Sequence, residues 1–266
     1  MSYYCGIDIG ASAAKLAVID DQCRIVGKSV RRSGVNYAQT AQLCRDEALA
    51  AAGLELSQIS GAVATGYGRD NVPWASGKMT EIACHGRGAY HHYHAAITVI
   101  DIGAQDCKVI HLDAAGYRTG FKMNRKCAAG TGSFLEEIAY RLDLKPADLN
   151  GLAEQSTREV TLGSFCTVFA ATEVLEKIRA GLHVEDIVKG AFRSVVNRVR
   201  EMDLVTGALV MTGGVAAYNP ALVRLAGEAF GCEIAVPPEA QFIGALGAAM
   251  YAAEIGRPGA SAEAPA

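Results

Sequence analysis

No apolar run in this 266-residue sequence reaches membrane-spanning length, so no transmembrane helix is expected. There is no excess of either charge. A net charge of −3 and a pI of about 6.1 argue against a broad nucleic-acid or anionic-membrane surface, so neither partner is expected. None of the eight cysteines forms a C-x-x-C pair. In a cytoplasmic chain of this size they do not read as a disulfide framework, and most should be small buried apolar residues. The opening MSYYCGIDIG has no basic n-region or cleavage site before its strand pattern, which points to the cytoplasm rather than export. No G-x-x-x-x-G-K-[ST] occurs, which excludes a Walker-A loop. The GTG at 130–132 and the TGYG at 65–68 are too short for a dinucleotide fingerprint.

Half the residues are hydrophobic, enough for a full core without staples. The length suits two lobes or one large α/β domain. YCGIDI and LAVID (4–9, 16–20) read as short strands around a Gly-Ala-Ser turn, with a third strand at 23–31. Residues 37–53 have helical composition and end at Gly53, a C-cap. A strand and a Gly-rich loop follow at 59–69, and a helix at 79–93.

The first pattern then recurs. ITVIDIGAQDCKVIHLD repeats the logic of YYCGIDIGASAAKLAVID 93 residues later, with Asp101 on Asp8 and Gly103 on Gly10. This is a repeat at the scale of a lobe. LVMTGGVAAYNPALVRLAGEAFG (209–231) adds a strand–Gly-Gly–helix unit, and 241–256 reads as a small-residue helix. The tail, 257–266, is Pro/Ala-rich and expected to be disordered.

Asp8-x-Gly10-x-Ser12-x-x-Lys15 puts a carboxylate at a strand end before a tight turn. Glycine lets backbone approach phosphate, Ser12 can donate a hydroxyl, and Lys15 can add charge. A carboxylate beside phosphate is repelled unless Mg²⁺ or its water shell lies between, so Asp8 and Asp101 fit ligands of metal-bound water. Gln105 could orient an attacking water. Either loop alone could equally be an ordinary Gly-containing hairpin turn.

Cys127 and Cys166 each precede an amphipathic helix, one carrying Phe134, Leu135, Ile138, Ala139 and Leu142, the other Val168, Phe169, Val174, Leu175 and Ile178. A helix N-terminus favours thiolate, and Arg125 and Lys126 add to this at Cys127. A [4Fe-4S] cluster commonly takes four thiolates, and two such cysteines in a two-fold dimer would supply them. On spacing alone, two structural cysteines are the commoner explanation of the pattern.

The two phosphate loops and the Gly213–Gly214 unit resemble the phosphate and adenosine motifs of the actin/Hsp70/sugar-kinase ATPases over roughly residues 3–252. KCAAGTGSFLE, SFCTVFAATEV, GIDIGASAAK, ATGYGR, VIDIGAQDCKVI and the run from Gln241 to Ala249 look more narrowly like the ATPase activators of 2-hydroxyacyl-CoA dehydratases. They look equally like the related small subunits of benzoyl-CoA reductase. The resemblance implies an α/β, two-lobed actin/Hsp70-like (ribonuclease H-like) fold of duplicated βββαβα lobes around a nucleotide cleft. The lobes would be residues 1–95, completed by a helix at about 241–256, and residues 96–240, which carry the cluster-binding helices. Gly10, Ala11, Ser12, Lys15, Gly103, Ala104, Gln105, Gly213, Gly214 and Gln241 would bind ATP or ADP with Mg²⁺, and the 241–252 helix would help couple the lobes. A homodimer, or a pair with a homologous subunit, would hold one [4Fe-4S] cluster through Cys127 and Cys166 of each chain. A ferredoxin or flavodoxin would donate the electron, and a CoA-thioester dehydratase or reductase would receive it. ATP hydrolysis would drive the transfer. Ala104 and Cys107 depart slightly from the family pattern, and Cys107 reads as a buried apolar residue.

Two rivals share the superfamily. A small-molecule kinase, such as an amino-sugar kinase, needs a D-x-x-G-T or G-x-G-D substrate motif after the second loop, where the cysteine helices stand instead. An actin-like filament protein would need neither Cys127 nor Cys166. His91, His92 and His94 read as a solvated helix end rather than a metal site. Glu136, Glu137, Glu173 and Glu176 read as solvated faces.

Overall fold

The computed structural model describes residues 2–163 and 166–256. The tail at 257–266, and Ser164 and Phe165 of the second cysteine motif, lie outside the described residues. The chain divides into two compact units, one formed by the stretch up to His94 together with that from Phe242 onward, the other by Ala95–Gln241.

The first unit opens with an antiparallel meander, β1 (Tyr3–Ile9), β2 (Ala13–Ile19) and β3 (Ile25–Arg32). Helix α1 (Tyr37–Ala52) leads to β4 (Ile59–Thr65), which pairs parallel with β1. The two-residue β5 (Gly77–Lys78) and α2 (Glu81–Tyr93) follow. The sheet order is β3-β2-β1-β4-β5. Helix α1 starts where the Asn36 side chain accepts the Gln39 N–H and stops where Gly53 turns left-handed, the predicted C-cap.

The second unit repeats this plan. Strands β6 (Ile97–Ile102), β7 (Cys107–Leu112) and β8 (Arg118–Asn124) form the meander. Helices α3 (Gly132–Arg141), α4 (Leu149–Gln155), α5 (Thr167–Arg179) and α6 (Val184–Met202) then intervene. Strand β9 (Ala208–Thr212) pairs parallel with β6. Helices α7 (Gly213–Tyr218) and α8 (Pro220–Phe230) and strand β10 (Ile234–Ala235) complete the order β10-β9-β6-β7-β8. The identical strand orders bear out the duplication read from the sequence. Strands β1 and β6 are central in their sheets, which is why YYCGIDI and ITVIDI run apolar almost without alternation. Helix α6 keeps its apolar residues on one stripe, with Ile187, Val188, Ala191, Phe192, Val195 and Val199 in the core.

The last helix, α9 (Ile243–Ile255), returns to the first unit, against α2 and β1. It is buried almost all round because its residues are small. A Cβ on Gly247 would stand 1.9 Å from the Cys84 carbonyl oxygen of α2, and one on Gly6 would stand 2.0 Å from that of Ala245. Only glycine allows both approaches.

Candidate functional site

Antiparallel pairing puts Asp8 opposite Lys15 across β1 and β2, and Asp101 opposite Lys108 across β6 and β7. Each turn closes the same way, Gly10 N–H on the Ala13 carbonyl (3.1 Å) and Gly103 N–H on that of Asp106 (2.9 Å). Lys15 Nζ donates to Asp8 Oδ2 at 3.2 Å, and Lys108 Nζ to Asp101 Oδ2 at 3.0 Å. Both predicted loops are therefore hairpin turns, each with an ion pair at its base. Gly10, Ala11, Ser12, Gly103 and Ala104 are partly exposed along them, and Gln105 is exposed at the tip of the second.

The copies then diverge. Lys108 is wholly buried and also binds Asp106 Oδ1 at 2.8 Å. The Thr212 hydroxyl donates to Asp101 Oδ1 at 3.0 Å. Both oxygens of Asp101 are thus engaged. In the first unit Thr65 stands opposite Asp8, as Thr212 stands opposite Asp101, yet no such bond forms. Asp8 Oδ1 is buried with no hydrogen-bond partner among the described residues. Glu81 and His85 of α2 bring donor atoms to within 4.8 Å of one another and of Asp8. Two carboxylates and an imidazole gathered in this way fit a hard cation or its bound water.

Two glycines lean on these aspartates in the same way. Gly66, after β4, has φ +85°, and a Cβ there would lie 2.4 Å from Asp8 Oδ1 and 2.6 Å from the Ile9 carbonyl oxygen. Gly213, after β9, has φ +89°, and a Cβ would lie 2.8 Å from Asp101 Oδ1 and 2.5 Å from the Ile102 carbonyl oxygen. Gly214 faces Gln241, whose Oε1 accepts the Tyr218 hydroxyl at 2.8 Å. Asp106, Lys108, Thr212 and Gly66 fall outside the predicted site residues. The internal repeat is the signal for Lys108, which aligns with Lys15, whereas Thr212 and Gly66 are related to Thr65 and Gly213 only through the parallel strand pairing.

The cysteines separate by burial. Cys5, Cys44, Cys84 and Cys107 are buried, while Cys127, Cys166 and Cys232 are exposed free thiols. Burial pushes the thiols of Cys5, Cys84 and Cys107 up to about 12, so they remain protonated. Cys166 is the N-cap residue of α5. Cys127 differs from expectation: α3 begins at Gly132 behind a Thr131 N-cap, so this thiol lies outside the first turn, where the dipole acts. It sits instead in a loop that Asn124 ties down, with Nδ2 donating to the carbonyls of Cys127 and Ala129 at 3.0 Å each, while the Ala129 N–H points at Cys127 Sγ at 3.5 Å. The loop is coupled to the second phosphate turn. Just after it, Gly132 N–H donates to the Gly103 carbonyl at 2.9 Å and Ser133 N–H to that of Ala104 at 2.7 Å.

Helix α5 also departs from expectation. It buries Ala170, Ala171 and Val174, and leaves Val168, Phe169, Leu175 and Ile178 exposed, the first two by about 70%. The smaller side chains face the core, and the larger apolar ones form an uncovered stripe that begins beside Cys166. Exposed soft thiols bordered by apolar surface fit an iron–sulfur group better than a hard cation.

The histidine run ends α2, where His94 adopts a left-handed cap with φ 47°. His94 is exposed, but His91 and His92 are half-buried rather than solvated. Burial holds both imidazoles below their usual range, and repulsion from neighbouring histidines adds to it. Their folded forms bind protons less readily than the unfolded chain does. Stability from this source is therefore full above pH about 6.5 and falls as the pH drops below it. Thermal melts at pH 7.5, 6.5 and 5.5 should show a decline in melting temperature that is shallower in a His91→Gln/His92→Gln variant.

Two α/β units with one strand order, each presenting an Asp-x-Gly turn with an ion pair at its base, define an actin-like ATPase. Residues 5–252 match the BadF/BadG/BcrA/BcrD ATPase family, and the chain belongs to that family. It is 42% identical over 254 residues to the (R)-2-hydroxyglutaryl-CoA dehydratase activating ATPase of Acidaminococcus fermentans, covering 94% of this chain and 96% of that one. The crystal structure of component A of that dehydratase superposes with a TM-score of 0.91, covering 96% of this chain and 99% of that one at 40% identity. The activator of 2-hydroxyisocaproyl-CoA dehydratase from Clostridium difficile, solved with bound ADPNP, superposes at 0.90 with 37% identity, covering 96% and 95%. A benzoyl-CoA reductase subunit from Thauera aromatica is similar at 29% identity, over 95% of this chain and 94% of that one. The chain is an ATP-binding ATPase. No helix among the described residues is long and apolar enough to cross a membrane.

Proposed function

We propose that this ATPase activates a 2-hydroxyacyl-CoA dehydratase by ATP-driven transfer of a low-potential electron. The identities to dehydratase activators, 42% against 29% for the reductase subunit, favour the dehydratase as partner. Cys127 and Cys166 of each chain in a homodimer would hold one [4Fe-4S] cluster, which when bound supplies one-electron chemistry. A ferredoxin or flavodoxin is the donor we expect. The exposed stripe of α5 offers the apolar area that a second copy would cover.

The observation that carries this reading is the pair of hydrogen bonds from Gly132 and Ser133 to the Gly103–Ala104 turn. Through it, a shift of the second turn on exchanging ATP for ADP would pass along backbone into the Cys127 loop. Lys108 holds Asp101 and Asp106 together beneath that turn. In the first unit Asp8 would hold a magnesium-bound water; its Oδ1 is without a hydrogen-bond partner and Lys15 neutralises Oδ2. Gly213, Gly214 and Gln241 would line the adenosine side, and Gln105 at the exposed tip would orient the attacking water.

An anaerobic mixture of this protein, a reduced one-electron donor and an inactive 2-hydroxyacyl-CoA dehydratase tests the reading. Dehydration should appear with ATP and remain absent with ADP. ATP hydrolysis that never activates the dehydratase, with phosphoryl transfer to an amino sugar instead, would overturn it.

A further inference from the structure

The Thr65–Arg69 loop of the first unit is fastened to the Asp8 turn on two sides. The Gly66 backbone lies against Asp8 Oδ1, and Gly68 N–H donates to the Ile9 carbonyl at 2.9 Å. A Cβ on Gly68 would meet Ile9 Cγ2 at 2.4 Å, so the loop has no slack there either. A short 3₁₀ turn, Arg69–Asn71, continues from it, and this turn presents Arg69.

Arg69 is partly buried, and its guanidinium makes no hydrogen bond or ion pair among the described residues. Its neighbour Asp70 is taken by Lys78, 2.9 Å away. Around Asp8 the charges are otherwise spent or negative: Lys15 is neutralised by Asp8, and Glu81 adds another carboxylate. Cys84 lies within reach of the same groups. Its thiol is raised first by burial and then by Asp8 and Glu81, while Arg69 acts on it in the opposite sense. Arg69 is therefore a cation of this unit that is left to meet a polyanion bound beside Asp8, as is the exposed Arg32 opposite Ala13 at the end of the turn. The second unit has no equivalent of Arg69, because Gly213 is followed by Gly-Val-Ala-Ala where Gly66 is followed by Tyr-Gly-Arg.

We propose that Arg69 is a catalytic residue of the ATPase, donating its guanidinium to the γ-phosphate and to the charge that develops there during hydrolysis. The assignment rests on the Asp8–Lys15 turn being a phosphate loop. A planar guanidinium suits phosphoryl oxygens, and an arginine supplied in this way accelerates hydrolysis by about 10³-fold or more in other nucleotide hydrolases.

The test compares Arg69→Gln, Arg69→Lys and Asp8→Asn with the unaltered protein, measuring kcat and the affinities for Mg²⁺–ADPNP and ADP. Arg69→Gln should lower kcat by about 10³-fold. It should also weaken ADPNP binding by about tenfold or more with ADP binding unchanged, since only ADPNP carries the third phosphate. Arg69→Lys should recover ADPNP binding in part, because it keeps the charge and loses the fork. Equal losses for ADPNP and ADP, or an unchanged kcat in a variant that melts normally, would overturn the role of Arg69. If Asp8→Asn also left kcat intact, the phosphate-loop assignment itself would fail.

Discussion

Lys108→Ala should destabilise the second unit by about 3–5 kcal/mol, the usual cost of leaving a buried carboxylate without its partner. The side chain is fully buried and its ammonium lies between Asp101 Oδ2 (3.0 Å) and Asp106 Oδ1 (2.8 Å). Alanine would leave both carboxylates facing each other without the ammonium between them, while the Thr212 hydroxyl still donates to Asp101. A unit of this size loses roughly 2–4 °C of melting temperature per kcal/mol, so the drop should be roughly 6–20 °C. Lys108→Ala/Asp101→Asn should recover part of it, since the asparagine needs no counter-charge. Lys15→Ala in the first unit should cost far less. Lys15 is partly exposed, so solvent screens this pair more than the wholly buried one at Lys108. Equal melting temperatures for the Lys108→Ala variant and the unaltered protein would show that the triad does not stabilise the turn.

How much of this was legible depended on whether partners were near in sequence. The Asp-x-Gly turns were, because an aspartate closing an apolar strand and a lysine seven residues on are both visible in one short window. The ion pairs follow from hairpin register alone. The bond from Thr212 to Asp101 spans 111 residues and arises only when β9 pairs with β6, so no local pattern announces it. Gly66 was visible as part of a Gly-rich loop, but its kinship with Gly213 was not. The flanking residues differ, and only the shared parallel pairing with β1 or β6 relates them.

The cysteine region shows a different limit. Amphipathic spacing correctly marked Phe134, Leu135, Ile138 and Ala139 as core. The same rule applied to α5 marks Val168, Phe169, Val174, Leu175 and Ile178, and of these five Val174 alone is buried, beside Ala170 and Ala171. Periodicity finds an apolar face but cannot say whether the chain itself covers it. The start of α3 lies later than expected because Gly130, with φ +78°, and Thr131 insert a turn between Cys127 and the helix.

The central claim is that Cys127 and Cys166 hold a cluster shared by two chains. Each cysteine is exposed and free in a protein whose other described thiols, apart from Cys23 and Cys232, are buried. Losing either should remove two of four ligands at once, because the two-fold axis duplicates every change. Cys127→Ser and Cys166→Ser should therefore each abolish iron binding, whereas Cys232→Ser should leave it intact. The direct measurement is iron content and the visible spectrum of anaerobically purified protein with these three variants alongside. The account predicts about four irons per two chains and a broad visible absorption, lost in the first two variants and kept in the third. Colourless, iron-free protein that still hydrolyses ATP, with all variants behaving alike, would contradict it.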